Sequence, residues 1–351
     1  MPPTYPVEVP TRYDADRGEI AAALVGQPTY RVEQVWRGLY QELRDPSELT
    51  TLPTELRRDL TQRFPLALEV ATERTADDGE TTKWLFKLAD GALVETVLME
   101  YDDRVTACLS SQAGCAMGCT FCATGQGGFT RNLTTGEIVE QFVVAARAAL
   151  PRRLSNVVFM GMGEPLANYD RLYRAIERLH DDLGLSARRL TVSTVGVVPG
   201  IRRLTEAALP VNLAVSLHAA NNEDRSALVP LNRRYPLEAL ADACQAYVET
   251  TGRRLSLEWA LIDGVNDTVR AAEELASFAL PLRAHVNLIP LNPTPGYLVR
   301  GSAPEVVRSF TAALRSAGVN ATVRRTRGVD IDAACGQLAA TQVRLGPKPL
   351  G

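Results

Sequence analysis

The chain has 351 residues, 46% of them hydrophobic and 23% charged, and a formal net charge of -3. That length buries a full core and suits one large domain plus a small one, and no apolar stretch approaches the roughly 20 residues that a membrane span requires. The acidic balance excludes a general electrostatic attraction to nucleic acid, and six cysteines are too few for a disulfide scaffold in a chain this long.

The opening residues, Met1-Pro2-Pro3-Thr4-Tyr5-Pro6, lack a basic start followed by an apolar segment, so the cytoplasm is the expected compartment. Val32, Val35, Trp36, Leu39 and Tyr40 recur at helical spacing, and Thr54–Leu60 reads as a short amphipathic helix. Residues 1–78 are therefore expected to form a small helical domain. Lys83–Leu88 and Ala92–Met99 flank the turn Asp90-Gly91 as a hairpin. From about residue 105, strand candidates follow at Val105–Ser110, Asn156–Met160, Arg189–Thr194, Val211–Leu217, Leu255–Leu261, His285–Pro290 and Ala321–Arg325. Between them fall helical stretches at Thr134–Ala149, Tyr169–Asp182, Pro199–Ala207, Pro236–Thr250, Asp267–Leu280 and Pro304–Ala317. This alternation predicts an α/β domain over residues 79–351, a parallel sheet forming a full or partial (β/α) barrel, with a doubly wound open sheet as the alternative. Ligands in such folds sit at the carboxyl ends of the strands. The unusual polar segments Gly161–Pro165, Ser193–Gly196, Ser216–His218 and Asn292–Gly296 fall at those positions.

Cys108, Cys115, Cys119 and Cys122 lie within fifteen residues. In the spacing Cys115-x3-Cys119-x2-Cys122, three thiolates in a Gly-rich loop can bind three irons of a [4Fe–4S] cubane and leave the fourth iron open. Zinc would need Cys108 as a fourth ligand, although that residue is expected in or at the end of the preceding strand. Cys244, in a helical run, reads as structural. Cys335 follows Asp330-Ile331-Asp332 and suits the first turn of a helix, where the dipole would lower a thiol pKa and the acids oppose it. On residue chemistry alone Cys108, Cys335 and His218 read as packed core residues, and Glu95 as the polar face of the hairpin.

Three separated segments carry a closer likeness: Ser111–Cys122, Met160–Pro165 and Arg327–Leu338. They resemble the radical S-adenosylmethionine (SAM) superfamily and, within it, the RlmN/Cfr family of RNA adenine methyltransferases, over about Glu95 to Leu338. Gln126–Leu133 looks more like the branch that methylates adenine C2 in both 23S rRNA and tRNA. The sister branch, which methylates C8 of the ribosomal adenosine, is the alternative within the family. A non-catalytic, metal-stapled RNA-binding protein is the alternative outside the enzymes.

The resemblance implies a partial (β/α) barrel of the radical SAM type with a small N-terminal helical domain. It implies a [4Fe–4S] cluster on Cys115, Cys119 and Cys122, and SAM contacts from Gly163, Glu164, Ser193, Ser216, Leu217, His218 and Asn292. Two SAM molecules serve each turnover, one methylating Cys335 and one supplying a radical. Glu95, rather than Glu100, matches the base that removes the C2 proton. Cys108 matches the cysteine that releases the product with a transient Cys108–Cys335 disulfide. The implied partners are 23S rRNA, tRNA and an electron donor, such as flavodoxin, for the cluster and the disulfide; a monomer without membrane contact is expected. Lysine occurs only at Lys83, Lys87 and Lys348. The paired arginines Arg57-Arg58, Arg152-Arg153, Arg202-Arg203, Arg233-Arg234 and Arg324-Arg325 are candidate phosphate contacts, and the helical domain is the candidate extra RNA contact.

Overall fold

The computed structural model describes residues 10–292, 294, 299–324, 327–334 and 336–338. The chain enters through α1 (Arg17–Ala23), α2 (Tyr30–Tyr40) and α3 (Thr54–Arg63). Asp16 and Glu19 cap α1 reciprocally. The apolar stripe of α2 buries Val35, Trp36, Leu39 and Tyr40. Trp36 docks this stripe on the body: its Nε1–H donates to Asp182 at 2.8 Å, and the guanidinium groups of Arg17 and Arg178 lie 4.4 and 4.6 Å from its ring centre.

The strands are β1 (Leu68–Ala76), β2 (Thr81–Leu88), β3 (Leu93–Glu100), β4 (Val105–Cys108), β5 (Gln112–Gly114), β6 (Phe129–Asn132), β7 (Asn156–Phe159), β8 (Leu190–Thr194), β9 (Asn212–Ser216), β10 (Leu255–Leu261), β11 (His285–Pro290) and β12 (Asn320–Val323). They form a 10-stranded sheet in the order β1-β2-β3-β4-β7-β8-β9-β10-β11-β12, with β5 and β6 paired apart from it. β1 to β4 run antiparallel to one another, and every neighbouring pair from β4 to β12 is parallel. A doubly wound sheet would reverse its strand order at a switch point. Here the order follows the chain without reversal, as in the (β/α) barrel that the alternation predicts.

The crossovers carry α5 (Thr135–Ala148), α6 (Tyr169–Glu177), α7 (Val198–Thr205), α9 (Leu237–Thr251), α10 (Val269–Ala279) and α11 (Pro304–Ser316), with short α4 (Ala123–Gln126) and α8 (Asn222–Leu228) at the strand ends. Helices on the outside and side chains within leave strands such as Leu255–Leu261 largely buried, which is why they read as apolar runs rather than alternating ones. One core cluster runs from Tyr13 to Leu338. The expected helix at Tyr169–Asp182 changes to a π-turn at Arg178–Asp182. Strand β1, the small β5–β6 pair and α8 were not legible in the sequence, and β1 falls inside the stretch expected to be helical.

Candidate active site

The cysteine loop hangs from the β5–β6 pair. Gly114 and Gly128 close its neck: the Cys115 N–H donates to the Gly128 carbonyl at 2.7 Å. Gly114 has a φ of 75°, and a Cβ there would collide with that carbonyl oxygen. Cys115, Cys119 and Cys122 all line one cavity at the carboxyl ends of the parallel strands. Burial pushes the Cys115 thiol up to about 12, with Glu164 and Cys122 adding to the rise, and it raises Cys119 as well.

The same cavity receives Gly163, Glu164, Ser193, Ser216, His218 and Asn292. Gly163 takes a φ of 97°, and an added Cβ would lie 2.7 Å from the Gln112 amide nitrogen, so only glycine lets the β7 loop lie against β5. Glu164 is buried. Its two carboxylate oxygens accept the N–H groups of Leu166 at 3.0 Å and Val195 at 2.9 Å. Burial raises it to about 7 despite these bonds. Ser193 and Ser216 face each other across β8 and β9 with hydroxyl oxygens 3.5 Å apart. His218 has a φ of 61°, accepts the Ala260 N–H on Nδ1 at 2.9 Å and packs edge-on to Phe121. Burial lowers it to about 3, so the ring is neutral and carries its proton on Nε2. Leu217 is not brought to the cavity: it is fully buried, with its N–H on the Glu258 carbonyl and its own carbonyl on Arg225. Of Asn292-Pro293-Thr294-Pro295-Gly296, only Asn292 and Thr294 are among the described residues.

A second cavity adjoins the first and shares with it Cys122, Asn292, Arg324 and Gly336. Cys108 lines it, together with Val97, Met99 and Ala334. Cross-strand register explains the grouping: Val97 of β3 sits opposite Lys83 of β2 and Cys108 of β4. Glu95 shares the strand face of Val97 and Met99, is buried, and lies 2.9 Å from the Lys83 ammonium. Glu100 has the opposite parity and pairs with Arg152 at 3.0 Å.

Cys335 lies outside the described residues. Its flanks are anchored on both sides. Before it, Arg327 donates to Glu80 at 2.7 Å and to the Glu100 carbonyl at 2.9 Å, the Gly328 N–H to Asp77 at 2.9 Å, and Lys83 to the Asp332 carbonyl at 3.1 Å. After it, the Gly336 carbonyl accepts the Ala123 N–H at 2.8 Å and the Leu338 carbonyl accepts the Thr124 hydroxyl. The helical first turn expected around Cys335 falls on a residue outside the described ones; before it Val329–Ile331 form a 3₁₀ turn, and after it Gly336 has a φ of 83°. Among the described residues no three His, Cys, Asp or Glu side chains converge on a point for a single ion, and Cys108 lines the second cavity rather than the first.

A curated relative from Frankia alni, named probable dual-specificity RNA methyltransferase RlmN, is 54% identical, covering 94% of this chain and 84% of its own length. The chain belongs to the RlmN family. An RlmN-named relative from Salinispora tropica is 50% identical over 97% of this chain and 94% of its own. Residues 109–278 match the radical SAM superfamily. A crystal structure of a radical SAM methyltransferase from Sphaerobacter thermophilus is 51% identical, with a TM-score of 0.91 over 95% of this chain and 100% of that one. As an RlmN-family member the chain is a SAM-dependent radical SAM RNA methyltransferase, and the non-catalytic alternative falls.

Membership implies a [4Fe–4S] cluster and SAM, and the residues fit both. Three cysteines open on one cavity through a glycine-necked loop, and beside them sit a buried carboxylate, two hydroxyls and an amide at the strand ends. Sequence reasoning missed several residues that build this RlmN-family site. Arg225 is buried and ties the Val195 and Leu217 carbonyls to Asn232 at 2.6, 3.2 and 2.8 Å. Glu258 lines the first cavity, 3.6 Å from Arg324, which the sequence had offered only as a phosphate contact. Lys83 had a signal, a lysine in an arginine-rich chain; Arg225 had none, because surface arginines look the same in sequence. Of the arginine pairs, Arg152 and Arg203 are engaged by Glu100 and Asp170, Arg58, Arg202 and Arg233 are exposed, and Arg325 lies outside the described residues. No helix of the described residues is long and apolar enough to cross a membrane.

Proposed function

We propose that this RlmN-family chain methylates C2 of adenosine in 23S rRNA and tRNA, with Cys335 carrying the methyl group, Glu95 taking the C2 proton and Cys108 releasing the product. Adenine C2 is electron-poor and offers no lone pair to a methyl sulfonium, so polar transfer has no nucleophile. Cys335 would accept its methyl group from one SAM, and Cys115, Cys119 and Cys122 would hold the cluster, which with a second SAM would supply the one-electron chemistry that activates that methyl group toward the ring and takes up the electron released there.

The chain's own residues do the rest. Glu164, with Gly163, receives the amino group of SAM, while Ser193, Ser216, His218 and Asn292 complete its site. Glu95 removes the C2 proton and restores the aromatic ring. The Cys108 thiolate then attacks the Cys335 sulfur. The S–S bond forms, the S–CH2 bond breaks with its electron pair on carbon, and that carbon takes a proton to become the methyl group. Two electrons and two protons from an external donor, such as flavodoxin, reopen the disulfide. The N-terminal helices add an RNA contact, and the chain acts as a monomer.

The observation that carries this reading is the shared wall: Cys108 and both neighbours of residue 335, Ala334 and Gly336, line a cavity that meets the cysteine-loop cavity at Cys122. The test is anaerobic turnover on RNA deuterated at adenine C2, followed by nucleoside mass spectrometry. Loss of deuterium with methylation is expected; retained deuterium in a methylated base assigns C8 instead. Cys335→Ala is expected to give no methylation and Cys108→Ala to stall with RNA covalently attached, and free turnover by either variant overturns the scheme.

A further inference from the structure

Lysine is scarce in this chain, yet Lys83 is buried in β2. A buried ammonium is stable only when its donors are used. Lys83 uses one on Glu95 Oε1 at 2.9 Å and one on the backbone carbonyl of Asp332 at 3.1 Å. The two acceptors are far apart in sequence: one is in β3, the other three residues before Cys335. A planar arginine fork in this place would favour paired, coplanar acceptors, whereas a compact ammonium bonds in divergent directions.

We propose that Lys83 is a positioning residue for the release half of the reaction, one nitrogen holding the Glu95 carboxylate and the Cys335-bearing segment in fixed relation. The proposal rests on the two-cysteine reading above. It assigns Lys83 no contact with substrate: Lys83 fixes the distance between the group that takes the C2 proton and the sulfur to which C2 is bridged. A misplacement of about 1 Å at such a step costs roughly a hundredfold in rate.

The experiment uses the full chain, reconstituted anaerobically with iron, sulfide, SAM and reductant, and an RNA transcript bearing the target adenosine. Covalent RNA–protein adduct is read on denaturing gels and methylated nucleoside by mass spectrometry. Lys83→Met is expected to accumulate adduct while product formation falls roughly a hundredfold, with iron content and SAM binding unchanged; Lys83→Arg, keeping the charge without the geometry, is expected to fall between. Parallel loss of adduct and product in an iron-loaded, SAM-binding variant overturns the proposal. Should Lys83→Met fail to load iron, the pair Lys83→Met with Glu95→Gln, which removes both buried charges, is compared with Glu95→Gln alone. Equal adduct-to-product ratios are expected because, once the Glu95 carboxylate is gone, the distance that Lys83 fixes no longer ends on a base, and a further loss in the pair overturns the proposal. Cys108→Ala is the control: if it forms no adduct, the two-cysteine reading itself fails, whereas adduct in that control with none in Lys83→Met condemns only the role of Lys83.

Discussion

Glu164, after β7, accepts the backbone N–H of Val195, just past β8, at 2.9 Å, so one carboxylate bridges the ends of two parallel strands inside the cysteine-lined cavity. Burial raises its pKa to about 7 from the ordinary 4.5. Through that window the folded chain binds more protons at this site than the unfolded chain, so the site's contribution to stability declines as pH rises and is level above it. Glu140, also raised to about 7 by burial, adds a slope of the same sign. The Glu164→Gln variant is therefore expected to lose part of this slope in cofactor-free thermal melts, not all of it. An ionised Glu164 is the better acceptor for the amino group of SAM. Affinity measured by equilibrium dialysis is expected to rise between about pH 6 and about pH 8, and in Glu164→Gln to be weaker and flat. A variant with wild-type affinity and pH dependence would remove Glu164 from the SAM site.

Gly163→Ala combines a backbone angle that L-residues avoid with a Cβ driven into Gln112. The strain alone is worth about 1–3 kcal/mol, and relief requires the β7 loop to lift from β5, carrying Glu164 with it. A lowered melting temperature together with lost SAM binding is expected, with iron on the cysteine loop retained. Unchanged SAM affinity would mean that the close approach serves packing only.

The parallel part of the fold was legible because its strands are short apolar runs separated by amphipathic helices, and its mouth because glycines, prolines and polar residues interrupt the pattern at each strand end. β1 was not. Its sequence, Leu-Glu-Val-Ala-Thr-Glu-Arg-Thr-Ala, leaves only Leu68 buried and slips register between Val70 and Thr72. An edge strand held by pairing with β2 shows no alternation to read. The site divided along similar lines. The cysteine spacing and the Gly163-Glu164 segment are local signals, whereas Lys83, Arg225 and Arg324 matter through partners far away in the chain.

Burial keeps the Cys115 thiol, at about 12, protonated at neutral pH, and it acts on Cys119 in the same direction. Iron must therefore displace protons from the loop. Cluster assembly on the apo chain is expected to acidify a weakly buffered solution and to slow as pH falls, as a pH electrode and visible absorbance would show together. Cys244→Ala, in a helix away from the cavity, is expected to load as the wild type does. Assembly at a rate independent of pH would mean that the loop opens to water before it takes iron.

RNA affinity should come from specific arginines, since the chain's net charge of -3 attracts nothing. Arg233 follows a segment pinned to the cysteine loop by the Thr120 N–H on the Leu228 carbonyl at 3.1 Å, and it is exposed, as is Arg58 on α3. Arg203 is exposed too, but Asp170 already neutralises it at 2.5 Å. Each phosphate contact contributes about 0.7–0.9 to the slope of log affinity against log salt. Arg233→Ala and Arg58→Ala are expected each to lower that slope by about this amount in anisotropy titrations with tRNA, and Arg203→Ala to lower it less. An intact slope in Arg58→Ala would take α3 out of the RNA interface and leave the mouth of the barrel, marked by Arg233, as the surface that holds the RNA backbone.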